Sequence, residues 1–145
     1  MVEILSLSNN QQHLIVACMR GLGRVTGVRD WMLIDIGGDI LISALPERLQ
    51  EHRIADIAAD IALIGKQYSR MFQLGDVVEV SVRYRPHSED DTESVLLRSI
   101  ETLAILIMVM PRNEAPRFRA NLDLATDYIR AVLQGDAPPD VEWVV

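Results

Sequence analysis

Apolar residues recur at spacings of three and four after Asn9 and Asn10: Leu14, Ala17, Cys18, Gly21, Leu22 and Val25. That spacing puts them on one face of a helix, with Asn9 or Asn10 as its cap. Gly21, Gly23 and Gly27 are expected to break the helix up. Residues 31–36 (WMLIDI) and 39–44 (DILISA) then read as strands. Gly37 and Gly38 between them fit a two-residue hairpin turn of type I′ or II′, which needs positive φ. Pro46 suits the first turn of a long helix reaching Phe72. Ile54, Ile57, Ile61, Ile64, Tyr68 and Phe72 form its expected core face. Ala55, Ala58, Ala59 and Ala62 form a second, small-residue stripe beside it.

The period then changes to two. In residues 77–84 (VVEVSVRY), Val78, Val80, Val82 and Tyr84 share one face, and Val77, Glu79, Ser81 and Arg83 the other, as in a half-buried strand. A polar loop, RPHSEDDTE, leads to a fourth strand at 94–100. LAILIMVM at 103–110 is apolar on both faces, which predicts a central strand with helices on both sides of the sheet. Asn113 is the expected cap of a last helix whose buried stripe is Phe118, Leu122, Ala125, Ile129 and Val132. Residues 136–145 carry neither pattern and are expected to form a flexible tail after a domain spanning 1–135. The order is helix, hairpin, helix, three antiparallel strands, helix. It predicts an α+β layered domain on one five-stranded antiparallel sheet.

Composition narrows the function. The chain has 145 residues, 49% of them hydrophobic, which suits one domain with a core. Its net charge of -7 argues against nucleic acid and against an anionic membrane surface as partners. The single cysteine, Cys18, forms no internal disulfide and fits a cytoplasmic protein. The opening MVEILSLSNNQQ has no basic segment before an apolar run, so no secretion signal is expected, and Val2 excludes N-myristoylation. The longest apolar run, 103–110, is far shorter than the roughly 20 residues of a membrane-spanning helix.

Catalytic patterns fail one by one. The only Gly-Lys pair, Gly65–Lys66, has Asp60 where a P-loop needs glycine and Gln67 where it needs Ser or Thr. GLGRVTG at 21–27 is one residue too long for a dinucleotide fingerprint and follows a helix. No helix start follows DIGGD to receive a phosphate. His13, His52 and His87 lie in separate elements, and Cys18 has no Cys partner, so no metal site is expected. The acidic stretch 87–93 lacks the spacing and glycine of a calcium loop, and no G-x-S-x-G elbow exists. Asp56 and Asp60 share a helix face near Arg53, but no acid–base partner stands beside them. The chain is therefore expected not to be an enzyme and to need no cofactor.

What remains is surface. The strand at 77–84 has no covering element after it, and a bare edge strand invites pairing. A homodimer would join the strands through Val77, Val78, Glu79, Val80, Ser81 and Val82. The helices would then meet through Ala55, Ala58, Ala59 and Ala62, unless these alanines face their own sheet. Leu63 stands apart among Arg53, Asp56, Asp60, Gln67 and Arg70, a mixed face suited to a protein partner. Trp143 in EWVV is a large apolar group that could dock on a partner or on the body of the domain.

These features together resemble the Roadblock family, relatives of dynein light chains within the longin-like and profilin-like domains. The features are LGRVTGVRDWMLID, the DIGGD hairpin, the long Ala/Ile helix, QLGDVVEVSVRY, LAILIMVM and the closing helix, across residues 9–134. Val25, Gly27, Val28, Ile34, Asp35 and Gly38 fit the family's opening pattern. PHSEDDTESV and PRNEAPRF depart from it. The resemblance implies a homodimer with a continuous ten-stranded sheet and a platform of two long helices. In bacterial and archaeal members that platform commonly binds a small Ras-like GTPase and in some cases stimulates GTP hydrolysis. An arginine finger is not the family norm, so Arg53 and Arg70 read as docking charges. The alternative is a structural scaffold subunit of a motor, signalling or motility complex without a GTPase.

Overall fold

A computed structural model describes residues 6–82, 93–111 and 116–145. The expected Arg83 and Tyr84 strand end, His87 with its acidic loop, and the Asn113 cap fall outside those residues. The elements are α1 (Asn9–Thr26), β1 (Asp30–Asp35), β2 (Ile40–Ser43), α2 (Glu51–Met71), β3 (Glu79–Val82), β4 (Glu93–Ile100), β5 (Ala104–Pro111) and α3 (Pro116–Leu133).

The five strands form one sheet in the order β2-β1-β5-β4-β3, and every pair is antiparallel. β5 takes the centre because both its faces are apolar. Leu106, Met108 and Met110 point to the α1–α3 side, and Ile105 and Ile107 to the α2 side. The larger core lies under α1 and α3, where Phe118, Leu122, Ala125, Ile129 and Val132 are all buried, as their spacing predicts. A smaller core lies under α2.

α1 starts and stops on identifiable chemistry. The cap is Ser8 and not Asn9: its hydroxyl accepts from the Gln11 N–H, while the Gln11 side chain accepts from the Ser8 N–H. The helix runs through Gly21 and Gly23 and ends only at Gly27, which is left-handed (φ 81°) and donates its N–H to the Gly23 carbonyl. Pro46 does not open α2. It starts a separate turn, with the Leu49 N–H bonded to its carbonyl, and the helix begins five residues later at Glu51.

The DIGGD hairpin also differs from the two-residue turn. The Asp35 and Asp39 backbones close a three-residue loop, Asp35 N–H to Asp39 carbonyl at 2.8 Å, and the register shifts beside it. Asp35 Oδ1 accepts from the N–H groups of Gly37 and Asp39, both at 2.9 Å, so this carboxylate holds the turn. Only Gly38 has positive φ (96°), and a Cβ there would lie 3.3 Å from Asp56 Oδ1 and 3.5 Å from Ala59 Cβ. Gly38→Ala is therefore expected to cost about 1–2 kcal/mol from backbone strain and crowding against α2. Thermal unfolding should show a Tm roughly 3–8 °C lower, whereas Gly37→Ala, at negative φ, should stay close to wild type.

Candidate functional site

α2 covers its side of the sheet alone, so its faces decide what is left for a partner. The small face is the one turned inward. Ala55 is fully buried and Ala58 4% exposed, both in the core with Met32, Ile34, Leu97, Ile105 and Ile107. Alanine lets the helix sit close to the sheet, which explains the stripe without a second helix. Ala55 and Ala58 are thus removed from the expected interface, and Ala59 and Ala62 are half-buried beside them. The isoleucine face is displaced outward. Ile54 and Ile61 reach the core, but Ile57, Ile64, Tyr68 and Phe72 are 49, 51, 59 and 69% exposed.

Three of the displaced residues form a pattern with the half-buried Ile61 and the exposed Met71. Ile57, Ile61, Ile64, Tyr68 and Met71 are spaced by four, three, four and three, the seam of a helix that packs along another helix. Tyr68 and Phe72 stack with ring centroids 6.4 Å apart. They flank a cleft of about 380 Å³ that reaches Leu74 and Val77, on the β3 side of α2. Of twelve large apolar residues exposed among those described, nine lie on α2, β3 or the link between them. Concentration on one face, and not the number itself, marks an interaction surface.

β3 continues that surface. It pairs only with β4, so its outer edge is open. The Val78 carbonyl accepts from the Ser99 N–H; by antiparallel alternation the backbones of Val80 and Val82 also turn inward. The backbones of Glu79 and Ser81 then face the open edge. Val77 and Val80 pack beside Gly65 of α2, while Val78, Ser81 and Val82 are exposed.

The outermost ridge of α2 carries Arg53, Asp56, Asp60, Leu63, Gln67 and Arg70, all exposed, with Leu63 at 55%. The structure therefore groups these six on one accessible face as their spacing predicts. A groove of about 930 Å³ starts beside Leu63, Ile36 and Lys66 and rounds the end of the sheet to α3. Its lining carries both signs of charge, and Arg130 pairs with Glu101 at 3.3 Å and Asp127 at 3.2 Å.

Arg98 is a feature the sequence reading missed. It is 6% exposed on β4, pairs with Glu79 of β3 at 3.3 Å and with Asp123 of α3, and Arg119 also pairs with Glu79. The available signal was its inward place in SVLLRSI, between Leu96 and Ile100. This network fastens the edge strand to α3.

Among the described residues no group of three His, Cys, Asp or Glu side chains is placed to hold a metal ion. Burial pushes the Cys18 thiol up to about 12, which keeps it protonated and poorly nucleophilic at neutral pH. No described helix is long and apolar enough to cross a membrane.

No family model and no curated protein sequence matches the chain. Solved structures do share its fold. The gliding protein MglB of Thermus thermophilus superimposes with a TM-score of 0.74 at 16% identity, over 93% of this chain and 99% of that one. Myxococcus xanthus MglB gives 0.70 at 12% identity, over 83% and 95%. A Roadblock/LC7 domain from Streptomyces avermitilis gives 0.66 at 17% identity, over 81% and 96%. The chain has the Roadblock/LC7 fold.

Proposed function

We propose that this chain is a non-catalytic, dimeric regulator that binds a small Ras-like GTPase through α2 and modulates its GTP hydrolysis. The observation that carries the reading is the one-sided surface of α2 and β3. The seam Ile57–Ile64–Tyr68–Met71 and the open edge of β3 lie together and suit a second copy of the chain. Val77, Val78, Glu79, Val80, Ser81 and Val82 take part through the strand, and the seam replaces the alanines as the helix contact. The ridge of Arg53, Asp56, Asp60, Leu63, Gln67 and Arg70 stays outside that contact and serves the partner. It is a mixed charged rim around one apolar anchor, the usual anatomy of a transient protein interface.

The shared fold supports the reading, since the Roadblock resemblance implies a two-helix platform for such GTPases. Arg53 and Arg70 act as docking charges. A scaffold subunit without a GTPase is the competing outcome. The test is GTP hydrolysis by a Ras-like GTPase of the same organism, with and without the protein. A complex and a changed rate are expected, and Leu63→Asp should weaken the complex at least about tenfold. No complex and no rate change with any such GTPase would leave the scaffold reading.

A further inference from the structure

The segment after α3 makes contact with the domain through Trp143 and Val144. It turns back and lies against α1 and α3, on the opposite side of the sheet from α2. Trp143 is half-buried against the larger core, and its indole occupies the space that Gly21 leaves open: a Cβ at Gly21 would lie 2.6 Å from Trp143 Nε1. Asn121, fully buried on α3, holds the next residue. Its Nδ2 donates to the Val144 carbonyl at 2.8 Å, and its Oδ1 accepts from the Val144 N–H at 2.8 Å.

One side-chain amide thus meets both backbone groups of one residue, as an added strand's neighbour does in peptide recognition. Asn121 sits among Phe118, Leu122 and Ala125, where an apolar residue would otherwise be expected. With the segment gone, a buried amide would lose both its partners. A notch for an indole beside a backbone clamp is specific for Trp followed by one more residue.

We propose that the groove between α1 and α3 is a peptide-recognition site for the Trp143–Val144 segment. The chain's own copy fills it in cis, and a second copy's segment fills it in trans. The tether permits both. Asn121 to Leu133 spans about 18 Å along α3, while residues 134–142 can extend to roughly 30 Å. The tethered segment has an effective concentration in the millimolar range, so it outcompetes a free one. The site does not overlap the α2–β3 surface, so exchange would link assemblies that already use that surface.

The test uses a chain ending at residue 139 and a labelled peptide of residues 140–145. The shortened chain should bind the peptide, and the full chain should bind it at least about tenfold more weakly. Asn121→Leu in the shortened chain, and Trp143→Ala in the peptide, should each abolish binding. For the trans arm both chains also carry Ile64→Asp, so that they cannot pair through α2. Full-length Gly21→Leu, whose own segment is displaced, should then still form a complex with the shortened chain, and no complex would overturn the trans arm. If the shortened chain does not fold, the full chain cut between residues 136 and 140 after folding should exchange its end for labelled peptide. Equal binding by full and shortened chains, no binding by a folded shortened chain, or no exchange after cutting would overturn the proposal.

Discussion

Ile64→Asp is expected to turn the proposed dimer into a monomer and leave the protomer folded. Ile64 is 51% exposed in the protomer, so a carboxylate there stays hydrated while the chain is alone. In the proposed dimer it would lie mid-seam, between Ile57 and Ile61 on one side and Tyr68 and Met71 on the other. A two-fold axis places the same charge on both helices, in an apolar contact with no cation among the seam residues. Burying such a group without a partner costs several kcal/mol. A loss of about 3–4 kcal/mol of association energy corresponds to a rise in Kd of roughly 100- to 1,000-fold. Light scattering across a dilution series should show the change in mass, with an unchanged far-ultraviolet circular dichroism spectrum. Ala58→Leu should behave in the opposite way. It overfills the core under α2 and lowers stability by about 1–3 kcal/mol before it touches the dimer.

Glu79→Ala is expected to destabilise the protomer by about 2–4 kcal/mol, because it strips a nearly buried arginine of one of its two carboxylate partners. Among the described residues Arg98 would keep only Asp123, whose side chain is 63% exposed, and Arg98 Nε already has no hydrogen-bond partner there. Arg119 would lose its contact with the strand as well. The decisive comparison is the double variant Glu79→Ala, Arg98→Met. Removing both charges leaves no ion to desolvate, so the double variant should be more stable than Glu79→Ala alone. Urea unfolding midpoints at constant m-value measure this. Additive losses would mean that the network contributes little beyond side-chain packing.

Much of the fold was legible because the periods were clean. The two-sided apolar run at 103–110 could only be an inner strand, and β5 is the central one. The α3 stripe held residue for residue. The α2 faces were harder. Period identifies stripes but not which stripe meets the sheet. The larger residues looked like core, yet a single helix packed close to a sheet prefers the small ones. The capping box Ser8–Gln11 is present in the sequence, but Asn9 and Asn10 beside it are residue types that cap equally well. Gly21 read as a helix breaker because its reason lies far along the chain, at Trp143. Local pattern carries no information about such a contact. Arg98 was obscured in the same way, since its partners come from β3 and α3. The ridge around Leu63 was legible, because exposure opposite a buried stripe follows from helix geometry alone.

In the function proposed above, a dimer built on α2 and β3 presents the ridge that binds a small Ras-like GTPase. The most direct measurement is the mass of the complex formed by wild type and by Ile64→Asp with such a GTPase. Wild type should form a stable complex containing two copies of this chain, and monomeric Ile64→Asp should bind at least about tenfold more weakly. A monomeric variant that binds as tightly as wild type, or a wild-type dimer that binds no such GTPase, would contradict the account.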